Sequence, residues 1–162
     1  MERTAIYAGT FDPVTFGHLD LIERASRLFP RLEVALARNL EKTPLLDLDV
    51  RLELLQGTTA HLENVSVSSF SGLLVEYAQS CGARVLVRGL RAVSDFEYEF
   101  QMALTNRKLF PGLETIFLMP AEAYTYLSSR MVREIAILGG DVSCFVPREV
   151  AAALRKRLGS PR

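Results

Sequence analysis

Thr4-Ala5-Ile6-Tyr7-Ala8-Gly9-Thr10-Phe11-Asp12-Pro13, followed by Val14-Thr15-Phe16-Gly17-His18, runs from a short apolar stretch through a glycine and an Asp-Pro turn into a helical pattern. A stretch that is apolar at nearly every position is what a strand covered on both faces requires. The same alternation recurs downstream. The patterning predicts strands over residues 4–8, 32–37, 65–70, 84–88 and 115–119. It predicts helices over 17–29, 47–62, 72–81, 94–109, 128–138 and 147–158. Asp47 is expected to cap its helix through free amides, Ser94 with Glu97 to form a capping box, and Pro147 to occupy a first helical position. Gly82 and Gly139-Gly140 are expected to end the third and fifth helices. Five strands alternating with helices through right-handed crossovers give an α/β fold, a doubly wound five-stranded parallel sheet.

The remaining composition narrows the function. A chain of 162 residues has the size of one domain, here taken as 1–162. Hydrophobic residues make up 49% and charged residues 23%, enough apolar surface for a packed core. Nineteen Lys plus Arg balance nineteen Asp plus Glu, so no net field draws in a nucleic acid or an anionic membrane, and neither is expected as a partner. Any anion site must be local. Only three of the basic residues are Lys, which makes Lys42, in a loop, stand out. Cys81 and Cys144 have no metal-like spacing and suit a reducing compartment; with no apolar run of membrane-spanning length, a soluble, untargeted cytoplasmic protein is expected.

In an open parallel sheet, ligands bind at the carboxyl ends of the strands, where the strand order reverses. The loops predicted there hold Gly9, Thr10 and Thr15 to His18, then Lys42, then Arg88, Gly89, Leu90 and Arg91, and finally Tyr124 to Arg130. Cations, hydroxyls and small residues collect on one rim of a neutral chain, which suits phosphate. Gly9 lets the backbone approach a ligand, and Gly17-His18 brings free amides, the positive end of a helix dipole and an imidazole to one place. His61, near the end of an amphipathic helix without polar company, is expected to be solvated or at the core edge, and Arg38 to be solvated. Neither histidine fits a metal-ligand pattern.

With Thr15-Phe16-Gly17-His18 following strand-Gly9-Thr10-Phe11-Asp12-Pro13, the chain resembles the nucleotidyltransferase superfamily marked by the T/H-x-G-H signature. Within it, the chain is similar to the bacterial phosphopantetheine adenylyltransferases. Lys42, Arg88-Gly89-Leu90-Arg91, Asp95-Phe96-Glu97-Tyr98-Glu99, and Phe117-Leu118-Met119-Pro120 with Leu127-Ser128-Ser129 extend the match over nearly the whole chain. The resemblance implies a Rossmann-like nucleotidyltransferase fold and adenylyl transfer from ATP to 4′-phosphopantetheine, giving dephospho-coenzyme A and pyrophosphate in coenzyme A biosynthesis. It also implies magnesium, carried on the ATP phosphates rather than by protein ligands, and a homohexamer. His18 is expected to donate to the α-phosphate as charge accumulates. Thr10 would orient the incoming phosphate, Lys42 with Arg88 would hold it, and Arg91 would engage the pyrophosphate end. The ATP site would comprise Gly9, Thr10, Phe11, Gly17, His18, Gly89, Leu90, Arg91, Glu99, Tyr124, Thr125, Tyr126, Leu127, Ser128, Ser129 and Arg130. Leu74 is expected against the pantetheine arm.

Three positions depart from the family pattern. Arg130 stands where a hydroxyl is usual, and a cation near a helix start implies a compensating anion, which ATP could supply. Ala8 and Phe16 replace the usual Pro and Asn without removing a donor of known role. Phe96, Tyr98 and Phe100 are expected to be packing residues rather than base-stacking ones. Other readings are a related enzyme with a different acceptor, a nicotinate-mononucleotide adenylyltransferase or a cytidylyltransferase, and a noncatalytic ATP-binding regulatory module on the same sheet.

Overall fold

A computed structural model describes residues 4–38, 43–91 and 93–159. Five parallel strands, β1 (Thr4–Gly9), β2 (Arg31–Ala37), β3 (Val65–Phe70), β4 (Val85–Gly89) and β5 (Glu114–Leu118), stand in the order β3-β2-β1-β4-β5. The helices are α1 (Phe16–Leu28), α2 (Leu48–Thr59), α3 (Leu74–Ser80), α4 (Val93–Leu109), α5 (Ser129–Ile137) and α6 (Arg148–Leu158), with a short 3₁₀ turn at Glu122–Tyr124. This is the doubly wound α/β sheet the patterning predicts.

Alternation along the central strand divides the core in two. Ala5 and Tyr7 of β1 join Leu32, Val34 and Leu36 of β2 in a large cluster with Leu21 and Ile22 of α1, Leu55 of α2, Val132 of α5 and Leu154 of α6. Ile6 and Ala8 turn to the opposite face and pack with Ala35, Phe70, Leu86 and Leu113 beneath Val75 and Ala78 of α3. Each fully buried Leu or Ile contributes about 1.5–3 kcal/mol, so a sheet covered on both sides is held by both clusters.

Tyr7 is paired with Val34 on one side and Val87 on the other, and the strand order reverses between β1 and β4. The loops leaving these two strands therefore diverge and leave a crevice at their carboxyl ends. Gly89 closes β4 against α1. A Cβ there would lie 2.5 Å from Cδ1 of the buried Leu21, so the position requires glycine.

Some local expectations need correction. Asp47 precedes α2 as its cap residue but makes no side-chain capping hydrogen bond. Leu46 before the helix and Leu55 within it are buried in the core and hold it to the sheet. Helix α4 begins at Val93, so Ser94 falls inside its first turn rather than at the cap; its side chain lies outside the described residues. The aromatic run of α4 is also not core packing. Phe96, Phe100 and Leu104 are 48–49% exposed, and Tyr98 is more exposed still. The helix turns Glu99 and Asn106 inward, and four-residue spacing then sends Phe96, Phe100 and Leu104 outward. The Phe96 and Phe100 rings stack on each other at 5.7 Å.

Candidate functional site

A cleft of about 510 Å³ opens where β1 and β4 part, and its walls carry Thr10, Thr15, His18, Arg88, Arg91 and Glu99. Four guanidiniums, those of Arg88, Arg91, Arg130 and Arg133, face it against two carboxylates, Asp95 and Glu99, so the site is locally basic within a neutral chain. The first turns of α1 and α5 both border it through Gly17, His18, Ser128 and Ser129, which brings two positive helix ends to the same space.

His18 is held by the turn that precedes it. Thr15 caps α1, accepting from the His18 amide at 3.3 Å, while the Thr15 amide donates back to His18 Nδ1 at 3.0 Å. Thr15 Oγ1 lies 3.1 Å from the same ring nitrogen. A backbone N–H can only donate, so Nδ1 is the acceptor and the ring proton sits on Nε2. Burial, then the charges of Arg91 and Arg88, lower the imidazole from 6.5 to about 4, so near neutral pH it is an uncharged Nε2–H donor. The ring is braced edge-on by Phe11 at 5.0 Å, and Phe11 in turn meets Tyr7 edge-on at 5.5 Å. Phe11 has φ 46, a left-handed conformation that costs a non-glycine residue about 1–2 kcal/mol and is held here by these ring contacts.

Three side chains tether the carbonyls of the first loop. Arg51 Nη1 donates to the Thr10 carbonyl at 2.8 Å, Arg133 donates to that of Asp12, and Ser129 Oγ donates to that of Pro13 at 2.7 Å. These bonds satisfy the carbonyls and fix the course of the loop. On the opposite wall, Arg88 makes a two-pronged ion pair with Glu99, Nε to Oε2 at 2.8 Å and Nη2 to Oε1 at 2.5 Å, and donates to the Ala8 carbonyl at 2.8 Å. Burial is the largest influence and pulls the guanidinium down, but the hydrogen bonds and the charge of Glu99, with smaller contributions from Tyr7 and Tyr98, together outweigh it and hold Arg88 above its ordinary value. It stays charged and keeps one further donor on each terminal nitrogen. Arg91 pairs with Asp95 at 3.3 Å and donates to the Leu127 carbonyl at 3.0 Å.

The cleft brings together Gly9, Thr10, Phe11, Gly17, His18, Arg88, Gly89, Arg91, Glu99, Tyr124, Leu127, Ser128, Ser129 and Arg130, as the sequence expects of a shared site. Leu90, Thr125, Tyr126 and Leu74 do not line it. Leu90 donates its amide to Leu118, Thr125 bonds to Glu122, Tyr126 packs edge-on against Phe145, and Leu74 lies against the core cluster under α3. Lys42 lies outside the described residues. His61, mostly exposed, sits 3.5 Å from Glu23. Arg130 finds its compensating anion within α5: its side chain is 82% exposed and pairs with Glu134 at 3.0 Å. Sequence reasoning missed Arg133, Asp95 and Tyr98 as cleft residues. Helical spacing from Ser129 points to Arg133, since residues four apart in a helix share a face.

The basic cleft lies at the switch point of a doubly wound α/β sheet, the place where ligands of such sheets bind. Residues 6–135 match the cytidylyltransferase-like family, and the chain belongs to that nucleotidyltransferase family. Among solved structures, it is similar to a Vibrio parahaemolyticus protein assigned as a nicotinate-nucleotide adenylyltransferase, at 20% identity and TM-score 0.74 over 99% of this chain and 98% of that one. It is also similar to Plasmodium falciparum nicotinic acid mononucleotide adenylyltransferase complexed with NaAD, at 14% identity and TM-score 0.70 over 96% of both chains. A third likeness is to a lipopolysaccharide core biosynthesis protein from Thermoplasma volcanium, at 19% identity and TM-score 0.57 over 75% of this chain and all of that one. These likenesses establish the shared fold. Among the described residues, no helix is long and apolar enough to cross a membrane.

Proposed function

We propose that this nucleotidyltransferase moves the adenylyl group of ATP onto 4′-phosphopantetheine, giving dephospho-coenzyme A and pyrophosphate. An acceptor phosphate oxygen forms a bond to the α-phosphorus while the bond from that phosphorus to the pyrophosphate oxygen breaks. The nucleophile is already an anion, so positioning and charge stabilisation supply the catalysis. The observation that carries the reading is the neutral Nε2–H imidazole of His18 at the junction of two helix N-termini. It can donate to an α-phosphate oxygen as negative charge grows there, without withdrawing the proton from any other partner. Arg88, kept charged by Glu99, with Thr10 and Lys42 would hold the acceptor phosphate. Arg91 and the first turn of α5 would hold the pyrophosphate end. Asp95 and Glu99 both face guanidiniums, so magnesium arrives on the nucleotide's phosphates as part of the substrate.

Two features support the pantetheine acceptor: the Arg88-Gly89-Leu90-Arg91 block, and the exposed Leu73 beside Leu74 at the carboxyl end of β3, an apolar surface for an extended arm. A nicotinate mononucleotide acceptor is the second reading, favoured by the assigned activities of the structural neighbours. The exposed stripe of α4 supports association of copies, in line with a homohexamer, and the two exposed free thiols suit a reducing cytoplasm. The test is pyrophosphorolysis. Incubation with dephospho-coenzyme A, pyrophosphate and magnesium should produce ATP. Silence there with ATP formed from nicotinate adenine dinucleotide favours the second reading, and silence in both arms favours a noncatalytic module.

A further inference from the structure

Leu45 and Leu46 lie in the connection between β2 and α2, and charged side chains, those of the distant Asp12 and Arg157 and of the nearby Arg51, take up all four of their peptide polar groups. Asp12 accepts from the Leu45 amide at 2.8 Å through Oδ2 and from the Leu46 amide at 2.9 Å through Oδ1. Arg51 Nε donates to the Leu46 carbonyl at 2.9 Å, and Arg157 Nε to the Leu45 carbonyl at 2.9 Å. Arg51 then reaches past this segment, and its Nη1 holds the Thr10 carbonyl in the first loop. Asp12 and Arg51 are each only 5% exposed. Burying a guanidinium and a carboxylate is a costly way to settle a turn that water could solvate, so the arrangement serves geometry more than stability.

We propose that Asp12 and Arg51 are positioning residues for the acceptor half of the reaction. Together they clamp Leu45 and Leu46 to the Thr10 loop, and so fix where an acceptor phosphate stands relative to His18. The inference rests on the transferase reading above and deepens it. Neither side chain needs to touch substrate. The nucleotide half has separate supports: Ser129 holds Pro13, and Asp20 of α1 accepts from the Ala121 amide at 2.9 Å in the loop after β5. Arg51 touches none of these supports, so loosening it disturbs one substrate and spares the other, whereas Asp12, 3.8 Å from Arg133 in the cleft wall, also reaches the nucleotide side.

Arg51→Lys keeps the charge but cannot span the Leu46 and Thr10 carbonyls together. Asp12→Asn can accept from only one of the two amides. In steady-state kinetics, each variant should raise the acceptor KM about 10-fold or more, as misplacement of a reacting group does, while the ATP KM stays within about 2-fold for Arg51→Lys and rises less than the acceptor KM for Asp12→Asn, whose carboxylate also faces Arg133. Exchange of the Leu45 and Leu46 amides should quicken in parallel. The acceptor used is whichever of 4′-phosphopantetheine and nicotinate mononucleotide the wild type turns over. A wrong acceptor assignment thus changes the substrate that is read and leaves the clamp test standing, whereas a wild type silent with both sinks the two readings together. An unchanged acceptor KM overturns the proposal, as does an equal rise in both KM values. Should Arg51→Lys not fold, Asp12→Asn is read in the same way, and loss of folding in both marks a scaffold role and overturns it.

Discussion

The state of His18 can be tested without any substrate. The imidazole is predicted to remain neutral, with its proton on Nε2, at every pH down to about 5, because its folded value lies at about 4. The unfolded value is near 6.5, so the unfolded chain takes up the proton first. The resulting stability is fully present above pH 6.5 and is lost as pH falls through about 4. With those two values, the loss at pH 5 relative to pH 8 comes to about 2 kcal/mol for this one residue. Denaturant unfolding of wild type and His18→Gln at both pH values isolates it, since carboxylate effects are common to the two proteins. The chain has only two histidines, so His61→Gln leaves one ring to follow by long-range nitrogen-proton NMR. The spectrum should show an unprotonated Nδ1 and a protonated Nε2, with shifts flat from pH 8 to 5. A midpoint between 6 and 7, or a proton on Nδ1, would refute the reasoning, because the Thr15 amide could not then be donating to that nitrogen.

His18→Ala should lower kcat by about 10²- to 10³-fold with little change in ATP binding, the scale for losing one transition-state donor, as measured by pyrophosphorolysis and nucleotide titration. Glu99→Ala strands the Arg88 guanidinium and should cost about 3–5 kcal/mol in denaturant unfolding, less to the extent that water reaches the partly exposed Arg88. Gly89→Ala drives a methyl into Leu21 and should destabilise by about 1–3 kcal/mol, with Leu21→Val in the same chain recovering part of the loss. Arg130→Ser removes only an exposed helix pair and should change stability by no more than about 0.5 kcal/mol, whereas Arg133→Met, beside Asp12 in the cleft wall, should raise the ATP KM markedly.

Much of the fold was legible because a sheet buried on both faces leaves nearly unbroken apolar runs. Ala5 to Ala8 and Leu32 to Ala37 show this, and the strand ends expected from them lie within one residue of those observed. The site was legible where function demands particular residue types at a strand end, as with Gly9, His18 and Arg88. Helix α4 was misread for a physical reason: its inward face carries Glu99 and Asn106 while aromatics point outward, so apolar spacing alone assigns the wrong side. Arg133 was missed because its one local mark, the four-residue spacing from Ser129, is common to any residue at that place on an amphipathic helix. Only tertiary placement brings it beside Asp12, 121 positions earlier in the chain. The tautomer of His18 follows from the Thr15 amide turning back onto the ring, which no spacing rule reveals.

The tethering of the first loop's carbonyls has a consequence for how the signature segment can be used. Its braces come from residues 51, 129 and 133, so a peptide spanning the glycine and histidine would possess the letters of the motif without its shape. Grafting that peptide onto another scaffold should yield no anion receptor unless the three remote side chains travel with it. Recognition here belongs to the assembled polypeptide, already shaped before any visitor docks.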